Sequence, residues 1–89
     1  MSRKLVLVVD DSPTIRKIVE LTLRREGYDV AGAESGVTAL AAIADRIPDL
    51  ILLDIMLPNL NGYQVCQLLK RSARCKSVPV VMLSGKDGV

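Results

Sequence analysis

Histidine, tryptophan and phenylalanine are missing from this 89-residue chain, and Tyr28 and Tyr63 are its only aromatic residues. Without histidine there is no Ser, His and Asp set for hydrolysis, and a structural zinc site lacks the ligands it needs. The two cysteines, Cys66 and Cys75, are too far apart for a Cys-x-x-Cys pair and read as reduced thiols. Basic residues are scattered in pairs (Arg3-Lys4, Arg16-Lys17, Arg24-Arg25, Lys70-Arg71), the formal charge is only +2, and no aromatics interleave with them. That pattern reads as solvated helix faces, so no nucleic-acid binding is expected. No Gly-x-x-x-x-Gly-Lys loop and no Gly-x-Gly-x-x-Gly turn is present, which disfavours a nucleotide-binding domain. No apolar run approaches membrane-spanning length, and the run after Met1-Ser2-Arg3-Lys4 is too short for a signal peptide. A cytoplasmic protein without membrane contact is expected.

What the chain does have is aliphatic runs that end in polar residues. Nearly half of the residues are apolar, so a core of Leu, Val, Ile and Ala is expected in one domain, residues 1–89, near the size where a single core is only marginally sufficient. Leu5 to Val9 and Leu50 to Leu53 are unbroken branched-chain runs, the pattern of strands buried in a parallel sheet. The first ends in Asp10-Asp11 and the second in Asp54, with Pro58, Asn59, Asn61 and Gly62 marking a loop after it. A third run, Val80 to Leu83, ends in Ser84-Gly85, and Tyr28 to Ala33, containing Gly32, reads as a weaker edge strand.

Helical signals alternate with these runs. Ser12 suits an N-cap, Pro13 the first helical position and Gly27 the C-terminal cap. Between them Ile15, Ile18, Val19, Thr22 and Leu23 form one apolar stripe, with Arg16, Lys17, Glu20 and Arg24 expected on the solvent side. A second helix follows Gly36, with Val37, Leu40, Ala41, Ile43 and Ala44 as its apolar side, ended by Ile47-Pro48. A third follows Gly62, with Val65, Leu68 and Leu69 inward and Lys70, Arg71 and Arg74 outward. The order is strand, helix, strand, helix, strand, helix, strand, which predicts an α/β doubly wound parallel sheet.

Open sheets of this kind bind ligands at the carboxyl ends of their strands. If the strands are parallel, that edge collects Asp10, Asp11, Asp54 and Ser84. Two like charges about 4 Å apart repel by roughly 4 kcal/mol at an effective dielectric near 20, so three carboxylates there call for a cation. An all-oxygen set suits a hard ion, Mg²⁺ before Ca²⁺ or Mn²⁺. A metal beside a carboxylate shields an incoming phosphoryl group and lets the carboxylate act as a nucleophile.

In combination, Val8-Val9-Asp10-Asp11-Ser12, Leu52-Leu53-Asp54-Ile55-Met56-Leu57-Pro58 with Gly62, and Val80-Val81-Met82-Leu83-Ser84 resemble the receiver domain of bacterial response regulators. Pro13-Thr14-Ile15-Arg16, Gly62-Tyr63-Gln64-Val65-Cys66 and Lys76-Ser77-Val78-Pro79 resemble the stand-alone regulators of twitching motility and phototaxis. The resemblance implies a flavodoxin-like fold in which Asp54 accepts a phosphoryl group from a histidine kinase and a downstream protein partner reads the result. It implies Mg²⁺ held by Asp11, Asp54 and the backbone carbonyl of Met56, with Asp10 acting largely through water. Ser84 is then the switch hydroxyl, and the side chains of Met56 and Lys86 flank the site.

The family pattern continues through a fourth helix, a fifth strand carrying a lysine and a switch aromatic, and a fifth helix; these are not among the 89 residues, and Lys86 is not assigned the lysine's role. An incomplete receiver is therefore expected, lacking the last strand and last two helices, with the strand at Val80 to Leu83 open to pairing with a second copy in a homo-oligomer. A non-phosphorylated interaction domain, or inactive fragment, is the alternative function. An aspartyl phosphatase is disfavoured because Met56 stands where its second acid would be.

Overall fold

A computed structural model describes residues 3–57 and 61–83; the expectations placed on Pro58, Asn59, Ser84 and Lys86 lie outside the described residues. Among the described residues seven elements alternate: β1 (Leu5–Val9), α1 (Pro13–Arg25), β2 (Asp29–Ala33), α2 (Gly36–Asp45), β3 (Leu50–Asp54), α3 (Gly62–Arg71) and β4 (Val80–Leu83). The four strands are parallel in the order β2-β1-β3-β4. The chain thus steps from β1 to β2 on one side and then crosses to β3 on the other, which places between β1 and β3 the topological switch that creates a ligand crevice in doubly wound folds.

Strand β1 lies between two strands, and all five of its residues are buried. This is why it reads as a continuous apolar run without alternation. Two cores lie on opposite faces of the sheet. On one face Leu7, Val9, Ile51 and Leu53 pack with Ala39 and Ile43 of α2 and Val65 and Leu69 of α3. On the other face Val6, Val8 and Val30 pack with the half-buried Val19 and Leu23 of α1, together with Leu50 and Leu52.

The helix ends follow the sequence. Ser12 caps α1, its side chain accepting from the Ile15 N–H at 3.3 Å. Gly27 follows the end of α1 at φ 94°, a conformation that costs an L-residue with a side chain about 1–2 kcal/mol. Ser35 with Thr38, and Asn61 with Gln64, close capping boxes at α2 and α3.

Three helix faces differ from expectation. In α1 the apolar stripe is split: Ile15, Ile18 and Thr22 are exposed, whereas Arg16 and Glu20, expected in solvent, are half-buried. The cause is position, because α1 packs over β1 and β2 and leaves the same face of β3 and β4 uncovered by described residues. In α2 the buried side chains are Ala39 and Ile43, while Val37, Ala41 and Ala44 face out; in α3 Leu68 is exposed. Strand β3, expected to be buried on both faces, has Ile51 and Leu53 buried but Leu50 and Leu52 only half-buried for the same reason. No helix among the described residues is long and apolar enough to cross a membrane.

Candidate metal and phosphoacceptor site

The register of the sheet brings the acidic residues together. Val9 of β1 pairs with Leu53 of β3, so one residue further along Asp10 and Asp54 fall side by side on neighbouring strands. Both continue the alternation of Val8 and Leu52, which sends their side chains to the α1 side of the sheet. Asp11 adds a third carboxylate from the turn into α1. One oxygen from each of Asp10, Asp11 and Asp54 lies within 4.8 Å of the others. Asp10 and Asp54 are 6% and 3% exposed, whereas Asp11 is open to solvent.

Backbone groups fix these side chains. The Ser12 N–H donates to Asp10 Oδ1 at 2.9 Å, and the Met56 N–H donates to Asp54 Oδ1 at 3.1 Å. In each case the carboxylate folds over the turn that follows its strand, as short acidic side chains do at strand ends. The Asp10 N–H donates to the Ala33 carbonyl at 3.0 Å, tying the end of β1 to β2.

Two further residues contribute in ways the sequence reading did not assign. Arg16 Nη1 donates to the Asp10 carbonyl at 2.7 Å, which turns its head group toward the strand end and away from the solvent face where helical periodicity placed it. Gly62 starts α3 directly behind the site, its N–H donating to the Ile55 carbonyl at 2.9 Å. A Cβ there would sit 2.6 Å from the Asp54 carbonyl oxygen. In the sequence Gly62 was read as a loop marker and as part of the receiver motif, without this close approach to the strand end.

The donor set fits a hard divalent ion. Two Mg–O bonds of about 2.1 Å span at most about 4.2 Å between ligand atoms, so oxygens within 4.8 Å close on such an ion through small side-chain shifts or one intervening water. All three are carboxylates, and two of them are buried neighbours that repel each other without a cation. The Met56 backbone lies next to the cluster through its own N–H bond, with its side chain exposed. Leu83 pairs with Asp54 in the sheet register and directly precedes Ser84 in sequence.

A doubly wound sheet with an acidic cluster across the carboxyl ends of its first and third strands is the arrangement of an α/β domain that can hold a cation at its ligand-binding edge. The family model described as response regulator receiver domain matches residues 6–89, and the chain belongs to that family. It is similar to Protein PilG of Pseudomonas aeruginosa, 52% identical over 84 residues that make up 94% of this chain and 62% of PilG. It is also similar to the DNA-binding response regulator MtrA of Mycolicibacterium smegmatis, 44% identical over 94% of this chain and 36% of that protein. The solved structure of chemotaxis protein CheY4 of Vibrio cholerae superposes with a TM-score of 0.87 at 33% identity, covering 91% of this chain and 68% of that one. The chain therefore spans about three fifths of PilG and about a third of MtrA. Receiver domains bind Mg²⁺ in an acidic pocket and interact with histidine kinases and downstream effector domains.

Proposed function

We propose that residues 1–89 work in the cytoplasm as the phosphoacceptor domain of a bacterial response regulator, with Asp54 taking a phosphoryl group from a histidine kinase and a protein partner reading the change. The observation that carries this reading is the gathering of Asp10, Asp11 and Asp54 within 4.8 Å at the ligand-binding edge of the sheet. Asp10, Asp11, Asp54 and the Met56 backbone carbonyl are the ligands for Mg²⁺ in this proposal, and Ser84 supplies the switch hydroxyl. When bound, the ion neutralises charge on the carboxylates and on the phosphoryl oxygens.

This chain's own residues do the rest. Asp54 ends a strand anchored between β1 and β4, and the Met56 N–H holds one of its oxygens, so the nucleophile is positioned before any donor arrives. A carboxylate oxygen of Asp54 attacks the phosphorus of the donor phosphohistidine. The O–P bond forms as the P–N bond breaks, its electron pair returns to the imidazole nitrogen, and an acyl phosphate remains on Asp54.

The 84 matched residues already amount to 62% of PilG, leaving that protein room for little beyond a receiver, against 36% of MtrA. The higher identity to PilG supports a stand-alone regulator over one carrying a DNA-binding domain.

The test is a titration with beryllofluoride and Mg²⁺, followed by backbone amide shifts, on the chain and on Asp54→Asn. Saturable shifts around 10–12 and 54–56 in the former and none in the latter support the reading. Equal responses in both overturn it.

A further inference from the structure

We propose that Arg16 is a positioning residue of the cation site, where it holds the peptide unit that joins Asp10 to Asp11; this deepens the phosphoacceptor reading and rests on it. The observation is where the head group goes. Arg16 Nη1 donates to the Asp10 carbonyl at 2.7 Å, and that carbonyl lies in the same rigid plane as the Asp11 N–H. The plane links two of the three carboxylates whose oxygens lie within 4.8 Å of one another. Its setting decides the direction in which the Asp11 side chain leaves the backbone.

Asp10 is fastened at three points, and each fixes a different part of it. The Asp10 N–H donates to the Ala33 carbonyl at 3.0 Å, which holds the peptide before it, and Oδ1 accepts from the Ser12 N–H at 2.9 Å, which holds the side chain. The Arg16 bond is the one of these three that holds the peptide after it. At 2.7 Å it has the short length of a charge-assisted bond. The side chain reaches this point over the end of β2. Its Cδ lies 3.6 Å from the place a Cβ on Gly32 would occupy, and it borders a hollow of about 280 Å³ with Gly32, Ala33, Glu34 and Thr38. A cation that only solvated the outer face of α1 would not be half-buried there.

Charge alone gives the opposite effect. A guanidinium beside a cation site repels the cation, so its removal would tighten Mg²⁺ binding by Coulomb interaction. Loss of the hold on the Asp10–Asp11 peptide acts the other way, because ligand atoms must be kept within about 0.5 Å of their productive places. Groups that orient metal ligands typically change affinity by about 10–100-fold when they are removed. The sign of the change in Mg²⁺ affinity therefore separates positioning from charge. A mere staple between α1 and the end of β1 gives a third result, lower stability with Mg²⁺ affinity unmoved.

The test is a Mg²⁺ titration followed by the amide shifts of residues 10–12, with no phosphodonor present. It compares the native chain with Arg16→Met, Arg16→Gln, Arg16→Lys and the control Lys17→Met, which removes the exposed neighbouring cation. Arg16→Met and Arg16→Gln should raise the Mg²⁺ dissociation constant about tenfold or more. Arg16→Lys, which keeps one charged donor on a stem one bond shorter, should stay within about threefold of native, and Lys17→Met should not weaken binding. Glutamine is the milder replacement and keeps the test informative should the methionine variant unfold. With phosphoramidate added, the half-saturating Mg²⁺ concentration should rise by the same factor while the rate at saturating Mg²⁺ holds. Unchanged or tighter Mg²⁺ binding in folded Arg16→Met or Arg16→Gln overturns the proposal and leaves the phosphoacceptor reading standing. A native chain that binds Mg²⁺ more tightly than Arg16→Met by that factor, yet forms no acyl phosphate, supports the role of Arg16 and overturns the phosphoacceptor reading instead.

Discussion

Gly62 at the start of α3 stands so close to the end of β3 that a Cβ placed on it would lie 2.6 Å from the Asp54 carbonyl oxygen and 2.9 Å from the Ile55 Cα. Both are backbone atoms and neither moves without moving the strand end that carries Asp54. We expect Gly62→Ala to destabilise the fold by about 1–3 kcal/mol, the usual cost of forcing extra volume into a packed site. It should also weaken Mg²⁺ binding, because relief of the clash displaces Asp54. Chemical denaturation and a Mg²⁺ titration of the variant check the two effects separately.

The acidic cluster makes an opposite prediction for Asp11. A ligand bound only by the folded state adds RT ln(1 + [L]/Kd), about 1.4 kcal/mol at ten times Kd. Thermal melting should therefore rise by several degrees with Mg²⁺ in the native sequence and not at all in Asp11→Ala. Without metal, Asp11→Ala should match or exceed the native chain in stability, since it removes one of three mutually repelling carboxylates. Acidification should abolish the Mg²⁺ increment, because protons compete for the same oxygens.

Much of this was legible in the sequence, and the misplaced apolar side chains share one physical cause. Strands of a parallel sheet are runs of branched side chains, so β1, β3 and β4 and the carboxylates ending two of them could be read directly, although only β1 is buried throughout. Ser12, Pro13 and Gly27 marked α1 because capping chemistry is local. Periodicity also identified correctly that Ile15, Ile18, Val19, Thr22 and Leu23 are apolar on one broad side of α1. It carries no information about which part of that side meets the sheet, so Ile15 and Ile18 were assigned to a core they do not enter. Leu68 of α3 and Val37 of α2 were misplaced for the same reason. Arg16 was sent to solvent because its partner is a backbone carbonyl, which no side-chain pattern records.

A structural role for Asp49 likewise escaped the sequence reading and yields a third prediction. Its Oδ2 accepts from the Leu5 N–H at 2.8 Å and its N–H donates to the Leu5 carbonyl at 2.8 Å, which joins the beginnings of β1 and β3. Asp49→Ala keeps the second bond and loses the first, leaving the Leu5 amide without that acceptor. The expected cost is about 1 kcal/mol, with no change in Mg²⁺ affinity because Asp49 lies at the opposite end of the sheet. Urea denaturation and the same Mg²⁺ titration decide it.

The N-cap of α3 gives a fourth. Asn61 Oδ1 accepts from the Gln64 N–H at 2.9 Å, and Gln64 Oε1 accepts from the Asn61 N–H at 2.9 Å. Removing the cap with Asn61→Ala should cost about 1 kcal/mol. Because Gly62 anchors that helix end to Ile55, faster amide exchange should appear at residues 55–56 as well as at 62–65. Exchange confined to α3 would show that the helix end and the strand end are not coupled.

The central claim is that Asp54 is a positioned nucleophile whose competence depends on the neighbouring carboxylates. The most direct measurement is peptide mass spectrometry after incubation with phosphoramidate and Mg²⁺, with the acyl phosphate trapped by borohydride reduction. The account predicts a single modified residue, Asp54, in the native sequence, no modification in Asp54→Asn, and a strong loss in Asp11→Ala or when Mg²⁺ is chelated. Modification at another residue, or an Asp54 signal indifferent to Asp11 and to Mg²⁺, would contradict it.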